Sequence, residues 1–358
     1  MTKSRLTPSA FEIMMGVKPE MKAPIVKPNA LILAVAAMCG SSWGYASDEA
    51  LTATHELYQQ RAEILHRNAE QLTDAIAKVC EAEEPDIVSN AQLAWRDLAG
   101  SWMFFQGREN LPLSIQDQVW HVQFWPDKKN LVGRQVPEWL TSDRPVSVTA
   151  VTEGSVAAQG LGAAEWLLFD KGSDWQTPRQ CEYALAVAQG LEVNTQAVIS
   201  GLASSEWQSV HGESVVEHQF VAINHQLARL LKKLGISLGS NGKGNLYFAE
   251  AWRSDHSLAL IAASLASVDA SWQASIRPAL VAKGETDLVA NMDILLRTTQ
   301  ENSVFSDENT YSTLLIDDYG YRQLVGLQTQ LMALETMWQQ EIAAALSISA
   351  GFNATDGD

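Results

Sequence analysis

One carboxylate stands in an otherwise apolar run, Gly160-Leu161-Gly162-Ala163-Ala164-Glu165-Trp166-Leu167-Leu168-Phe169, which Asp170 follows. A helix that is apolar on every side is a buried helix. A carboxylate buried there needs a cation, a set of hydrogen-bond donors or a proton. Glu165 can meet that need by facing a pocket and binding a ligand, or by pairing with a cation inside the protein. Arg253 is the candidate partner. In Trp252-Arg253-Ser254-Asp255-His256-Ser257, polar groups interrupt an apolar stretch, and a guanidinium fork can hold a carboxylate through two bonds. Three residues before Glu165, on the same helical face, stands Gly162, which has no side chain to contribute. Gly160 and Gly162 each cost a helix interior about 1 kcal/mol relative to alanine. Such a pair admits close approach of a ligand or of a neighbouring helix.

Other chemistry is thinly represented. His211, His218 and His225 recur every seven residues, which makes a column on one helical face. Neighbours in that column lie about 10.5 Å apart, too far to share one ion. There is no H-E-x-x-H, no G-x-S-x-G and no phosphate or dinucleotide loop. The chain has twelve tryptophans. Most are expected in the core, while Trp120 and Trp125 fall in a proline-rich connection.

The elements that must position these groups read as helices. Asp48 to Glu84 is rich in Ala, Leu, Glu, Gln and Lys, and Pro85 ends it. Ile87 to Gly107 carries Leu93, Trp95, Leu98, Trp102 and Phe105 at spacings of three and four. Residues 108–146 hold four prolines and read as short helices and loops. Helices are expected over Val148–Phe169, Pro178–Ser204, Ser214–Leu234, Tyr247–Ala270, Trp272–Thr299 with a break at Gly284, and Tyr319–Leu346. No segment alternates like a strand. The expectation is an all-α protein of two packed helical bundles, 47–234 and 247–358, joined by a glycine-rich linker at 235–246. Ala94-Trp95-Arg96-Asp97 returns as Ala251-Trp252-Arg253-Ser254-Asp255, almost half the chain later. A duplicated bundle produces such an echo, with Arg96 matching Arg253 and Asp97 matching Ser254.

Residues 1–46 read as an export leader that starts at Met21. Met21, Lys22 and Lys27 precede an apolar run over 30–38, and Gly44-Tyr45-Ala46 is a small-x-small cleavage site. That run is too short to span a bilayer, so the mature chain is expected to carry no transmembrane segment. The formal net charge is −17, and it becomes more negative once the basic leader is removed. Phosphate binding needs clustered basic charge, so nucleic acid is excluded as a partner. The acidity serves solubility, or favours a cationic ligand, a metal or a basic partner. Two of the three cysteines, Cys80 and Cys181, remain after cleavage. In an oxidising compartment they can pair, or stay as two buried thiols.

The segment Gly160–Asp170 resembles the signature of the imelysin family, G-x-H-x-x-E followed by an aromatic residue and two leucines. Gly160 and Glu165 match, and Gly162 stands where the family has histidine. Further resemblance lies in Ala94–Trp102, in Trp125-Pro126-Asp127, in Pro178–Tyr183 and in the ending Leu346–Asp358. Together these pieces span nearly the whole mature chain. The family is described as two packed helical bundles, as metallopeptidases and as iron-uptake proteins, with the motif His and Glu as proposed metal ligands. The resemblance implies a site at Gly160, Gly162, Glu165, Trp125, Asp127, Arg253, Ser254 and Asp255. It leaves Glu165 as the one visible metal ligand, for iron or another divalent ion. No catalytic residue is assigned. The expected function is an exported, periplasmic, non-catalytic binding component linked to iron or heme uptake. One alternative is a metallopeptidase that recruits Asp127, Asp170 or His256 in place of the missing histidine. Another is a scaffold whose partner is an envelope protein rather than a small ligand.

Overall fold

The computed structural model describes residues 31–81, 85–175, 177–209, 213–239, 242–305 and 310–348, with side chains from Asp48 onward. The expected leader before Leu31, His211 and the ending after Ile348 lie outside the described residues. The chain divides into two compact units, Met1–Ser41 and Ser42–Asp358. The first is described only as helical backbone from Leu31. The second contains every described side chain. Among the described residues there are helices and no strands, and no helix is long and apolar enough to cross a membrane.

The helix Leu31–Glu81 shows how the sequence builds the architecture. Ala50, Thr54, Tyr58, Ala62, Leu65, Ala69, Leu72, Ile76 and Val79 are all buried. Their steps of three and four draw one stripe along one helical face. From Tyr58 onward the stripe joins a core with Trp95, Trp102, Leu161, Leu167, Tyr183 and Leu191. Ala50 joins a second core with Leu227, Leu265, Trp272, Leu324 and Trp338. The buried side chains thus gather into two cores. Apart from Ala50 and Leu260, the core changes in chain order between Trp207 and Val215. The helix Glu213–Leu238 belongs to the second core and runs through Gly235 to end before Gly239, whose φ is 70°.

The end of the long helix is tied covalently to the start of Pro178–Leu202 by the disulfide Cys80–Cys181. Pro178 suits the first turn of its helix, where its missing N–H has no intrahelical partner to lose.

Two stretches differ from the helical expectation in ways that shape the site. Residues 148–169 form three pieces, Val148–Thr152, Val156–Ala158 and Gly160–Phe169. Ser147 and Ser155 accept N–H bonds at the first two starts, and Gly160 begins the third with φ 69°. Residues 247–256 are not one helix either. A short 3-10 turn, Leu246–Phe248, leads to irregular backbone in which Ala251 and Asp255 have positive φ, and the helix Ser257–Ser271 follows. The π-turn Trp272–Ile276 carries that helix on into Arg277–Ala282, and the chain breaks at Gly284, φ 84°.

A buried carboxylate beside Gly162

Glu165 lies on the Gly160–Phe169 helix and is 5% exposed. Its Oε1 accepts two hydrogen bonds, from the Ser254 N–H and from the Ser254 hydroxyl, each at 2.9 Å. Burial pushes the Glu165 carboxyl above its ordinary range, and the Ser254 bonds and the nearby Arg253 charge oppose that shift without cancelling it. Ser254 can reach because the backbone turns left-handed at Ala251 and Asp255. The expected Arg253 fork on Glu165 is not what forms. The Arg253 Nε donates to Asp170 at 3.2 Å, one of its terminal nitrogens donates to the Asn130 side chain at 3.2 Å, and the guanidinium stacks on Trp252 at 4.5 Å. A step of one residue along this turn exchanges a guanidinium for a hydroxyl and an amide.

Glu165 and Gly162 line a cavity of about 50 Å³. Trp125, Asp127 and Arg253 line it too, as do Trp95, Tyr247 and Glu250. The site residues expected from the sequence therefore divide. Trp125, Asp127, Gly162, Glu165 and Arg253 converge on the cavity, and Ser254 joins them through Glu165. Gly160 does not. A Cβ there would sit 2.3 Å from the His121 carbonyl oxygen, so this glycine serves close backbone packing. Asp255 turns away to accept from the Ser312 N–H and hydroxyl.

Asp127 lines the cavity but its carboxylate is already used. It caps the helix Leu131–Thr141, accepting from the N–H groups of Leu131 at 2.7 Å and Val132 at 2.9 Å. The Tyr247 hydroxyl donates to the Asp127 carbonyl. At Gly162 a Cβ would meet only Val132 Cγ2, at 3.4 Å. The backbone thus leaves room for a side chain that this sequence does not supply.

A polar network missed by the sequence reading closes the cavity floor. Glu250 Oε1 accepts from Gln106 at 2.5 Å and from Gln123 at 2.7 Å, while its Oε2 pairs with Lys233 at 2.7 Å. Both charged side chains are almost fully buried. Lys233 also donates to Ser264 at 3.0 Å, and burial holds its ammonium below the ordinary lysine range despite Glu250. One signal for it was present. Lys233 lies seven residues after Gln226 and three after Leu230, on the buried face of its helix.

The donor set does not fit a metal centre. Zinc and similar ions take at least three protein ligands at usual sites. Here Gly162 offers none, Asp127 is a helix cap, Asp170 holds Arg253, and Glu250 holds Lys233 and two glutamines. Burial beside Arg96 lowers His256 to about 4, and its ring lies against Trp95. Among the described residues no three His, Cys, Asp or Glu side chains converge for an ion.

Comparison with known proteins agrees with the all-helical fold. The structure is similar to that of an imelysin-like protein from Psychrobacter arcticum 273-4, with TM-score 0.73 and 17% identity over 86% of this chain and 98% of that one. It is also similar to a putative iron-regulated protein A precursor from Parabacteroides distasonis ATCC 8503, with TM-score 0.57 and 15% identity over 82% and 95%. No curated protein matches the chain. Residues 58–337 match the family described as Peptidase_M75: Imelysin, and the chain belongs to the imelysin family.

Proposed function

We propose that this protein is an exported, non-catalytic binding member of the imelysin family, linked to iron handling in the bacterial envelope. The observation that carries the reading is the Glu165 carboxylate, buried at a cavity, satisfied by Ser254 and facing the space left open at Gly162. Family membership and the likeness to a protein described as iron-regulated support the link to iron. The disulfide supports export, because such bonds persist in oxidising compartments. The two bundles, with the cavity lined from both halves of the sequence, form part of the same proposal. A cavity of about 50 Å³ holds a few waters or a group of a few heavy atoms. Heme is far larger, so on this reading heme is not the ligand of the cavity.

Titration with ferrous, ferric and zinc ions tests the reading, together with a peptidase assay on denatured protein substrate. The expected result is neither a stoichiometric ion site that Glu165→Ala abolishes nor metal-dependent cleavage. A Glu165-dependent ion site with cleavage would instead establish the metallopeptidase alternative.

A further inference from the structure

A second opening shares no lining residue with the Glu165 cavity and is several times larger, about 310 Å³ against about 50 Å³. That is the lower end of the size of small-molecule sites, roughly 300–1,000 Å³. It lies between the first helix, the helix Pro85–Trp102 and the helix Ser257–Ser271, and Arg61, Asn68, Asp97, Gly100 and Ser267 face it.

Its charges are uncompensated. Among the described residues Arg61 enters no ion pair, and its Nε is buried without a hydrogen-bond partner. Its guanidinium lies 5.7 Å from the centre of the Phe104 ring. Arg108 lies 4.2 Å from the centre of the same ring. Arg108 is buried and meets only neutral acceptors: the Phe104 carbonyl, the Tyr58 hydroxyl, Gln226 and Ser271. Two guanidinium groups therefore share one aromatic ring, and among the described residues no carboxylate pairs with either. In a chain of net charge −17, this is a local positive field with no paired counterion among the described residues, and a carboxylate matches the guanidinium fork.

The opposite charge stands apart in the same groove. Asp97 is exposed and enters no ion pair among the described residues, so Arg61 and Asp97 do not neutralise each other. The Asn68 amide donates to the Asp97 carbonyl at 3.1 Å, which leaves the Asn68 side-chain oxygen as an acceptor. Gly100 adds a separate observation. It lies inside a helix, where glycine costs about 1 kcal/mol against alanine. Its φ is not positive, and a Cβ there would meet nothing within 4 Å. Neither packing nor backbone geometry requires glycine, and what its missing side chain leaves is the open groove.

We infer that this groove binds a zwitterion of amino-acid or dipeptide size, its carboxylate on Arg61 and its ammonium on Asp97 and the Asn68 oxygen. Calorimetric titration of the full chain with glycylglycine, glycine, acetate and methylamine tests this. A zwitterion binds saturably, and the two single-charge probes bind at least about tenfold more weakly, since each forgoes one charge-assisted contact. Whichever zwitterion binds more tightly tells a peptide source from a free amino acid. Arg61→Gln weakens the zwitterion by about tenfold or more. Asp97→Asn weakens the zwitterion but not acetate. Gly100→Leu fills the groove and abolishes binding while helix content and melting temperature hold. Glu165→Gln leaves binding unchanged, so this site and the Glu165 cavity fail or stand separately. Absence of saturable heat with every probe, or zwitterion binding equal in Arg61→Gln, overturns the inference.

Discussion

At the scale of the residue, Glu165 is a proton-binding group whose environment makes stability depend on pH. Its native carboxyl titrates above the unfolded value of about 4.3. Between the two values the native state holds a proton that the unfolded state has released. Stability from this group is therefore full below the unfolded value and is lost as pH rises through the native one. Glu165→Gln keeps an oxygen for the two Ser254 donors and removes the ionisation. The variant is expected to lack that decline and to match or exceed the parent at neutral pH. Glu165→Ala leaves the Ser254 donors without their acceptor and costs about 1–3 kcal/mol. Urea unfolding from pH 4 to 8 checks this, and parallel curves for parent and Gln variant would refute it. The burial of Glu165 was legible from its apolar neighbours. Its partner was not, because a left-handed turn at Ala251 decides between Arg253 and Ser254, and alanine gives no sign of positive φ.

At the scale of the element, the two signature glycines do different things although they stand two residues apart on one helix. Gly160 has positive φ and lies against the carbonyls of His121 and Val122. Gly162 has ordinary helical backbone, and a Cβ there would make one ordinary contact, with Val132 Cγ2 at 3.4 Å. Gly160→Ala is expected to destabilise by about 3 kcal/mol, from left-handed strain together with the clash. Gly162→Ala is expected to stabilise by about 0.4–1 kcal/mol, because alanine restricts the unfolded chain and suits a helix. Thermal denaturation of the two single variants decides, and equal effects would remove the distinction. The long amphipathic helices, such as the stripe from Ala50 to Val79, were legible because three- and four-residue steps survive any context. The breaks within 148–169 and 247–256 were not. They depend on serine caps, on positive φ and on contacts from distant segments. The Glu250–Lys233 pair was half legible: Lys233 falls on the buried face of its helix, while Glu250 stands at the start of the irregular stretch that follows Phe248, where no periodicity marks it as buried.

At the scale of the whole molecule, one covalent bond spans the first core. Cys80 and Cys181 are 101 residues apart, and closing a loop of that length restricts the unfolded chain by about 4–5 kcal/mol in the chain-entropy model. The double variant Cys80→Ser with Cys181→Ser is expected to lose stability of that order, and reductant is expected to affect the parent alone. Guanidinium unfolding with and without reductant measures both. Indifference of the parent to reductant would show that the bond does not carry this role.

The same bond draws a boundary through the cavity. Trp125, Asp127, Gly162 and Glu165 lie inside the closed loop, while Glu250, Arg253 and Ser254 lie outside it. The segment Asp143–Ser147 runs across the surface within the loop, with Asp143, Arg144 and Pro145 exposed. A protease that cuts there opens a ring without freeing a fragment. The nicked protein stays in one piece, with Trp125 and Asp127 on one fragment and Gly162 and Glu165 on the other, until a reductant lets the two come apart.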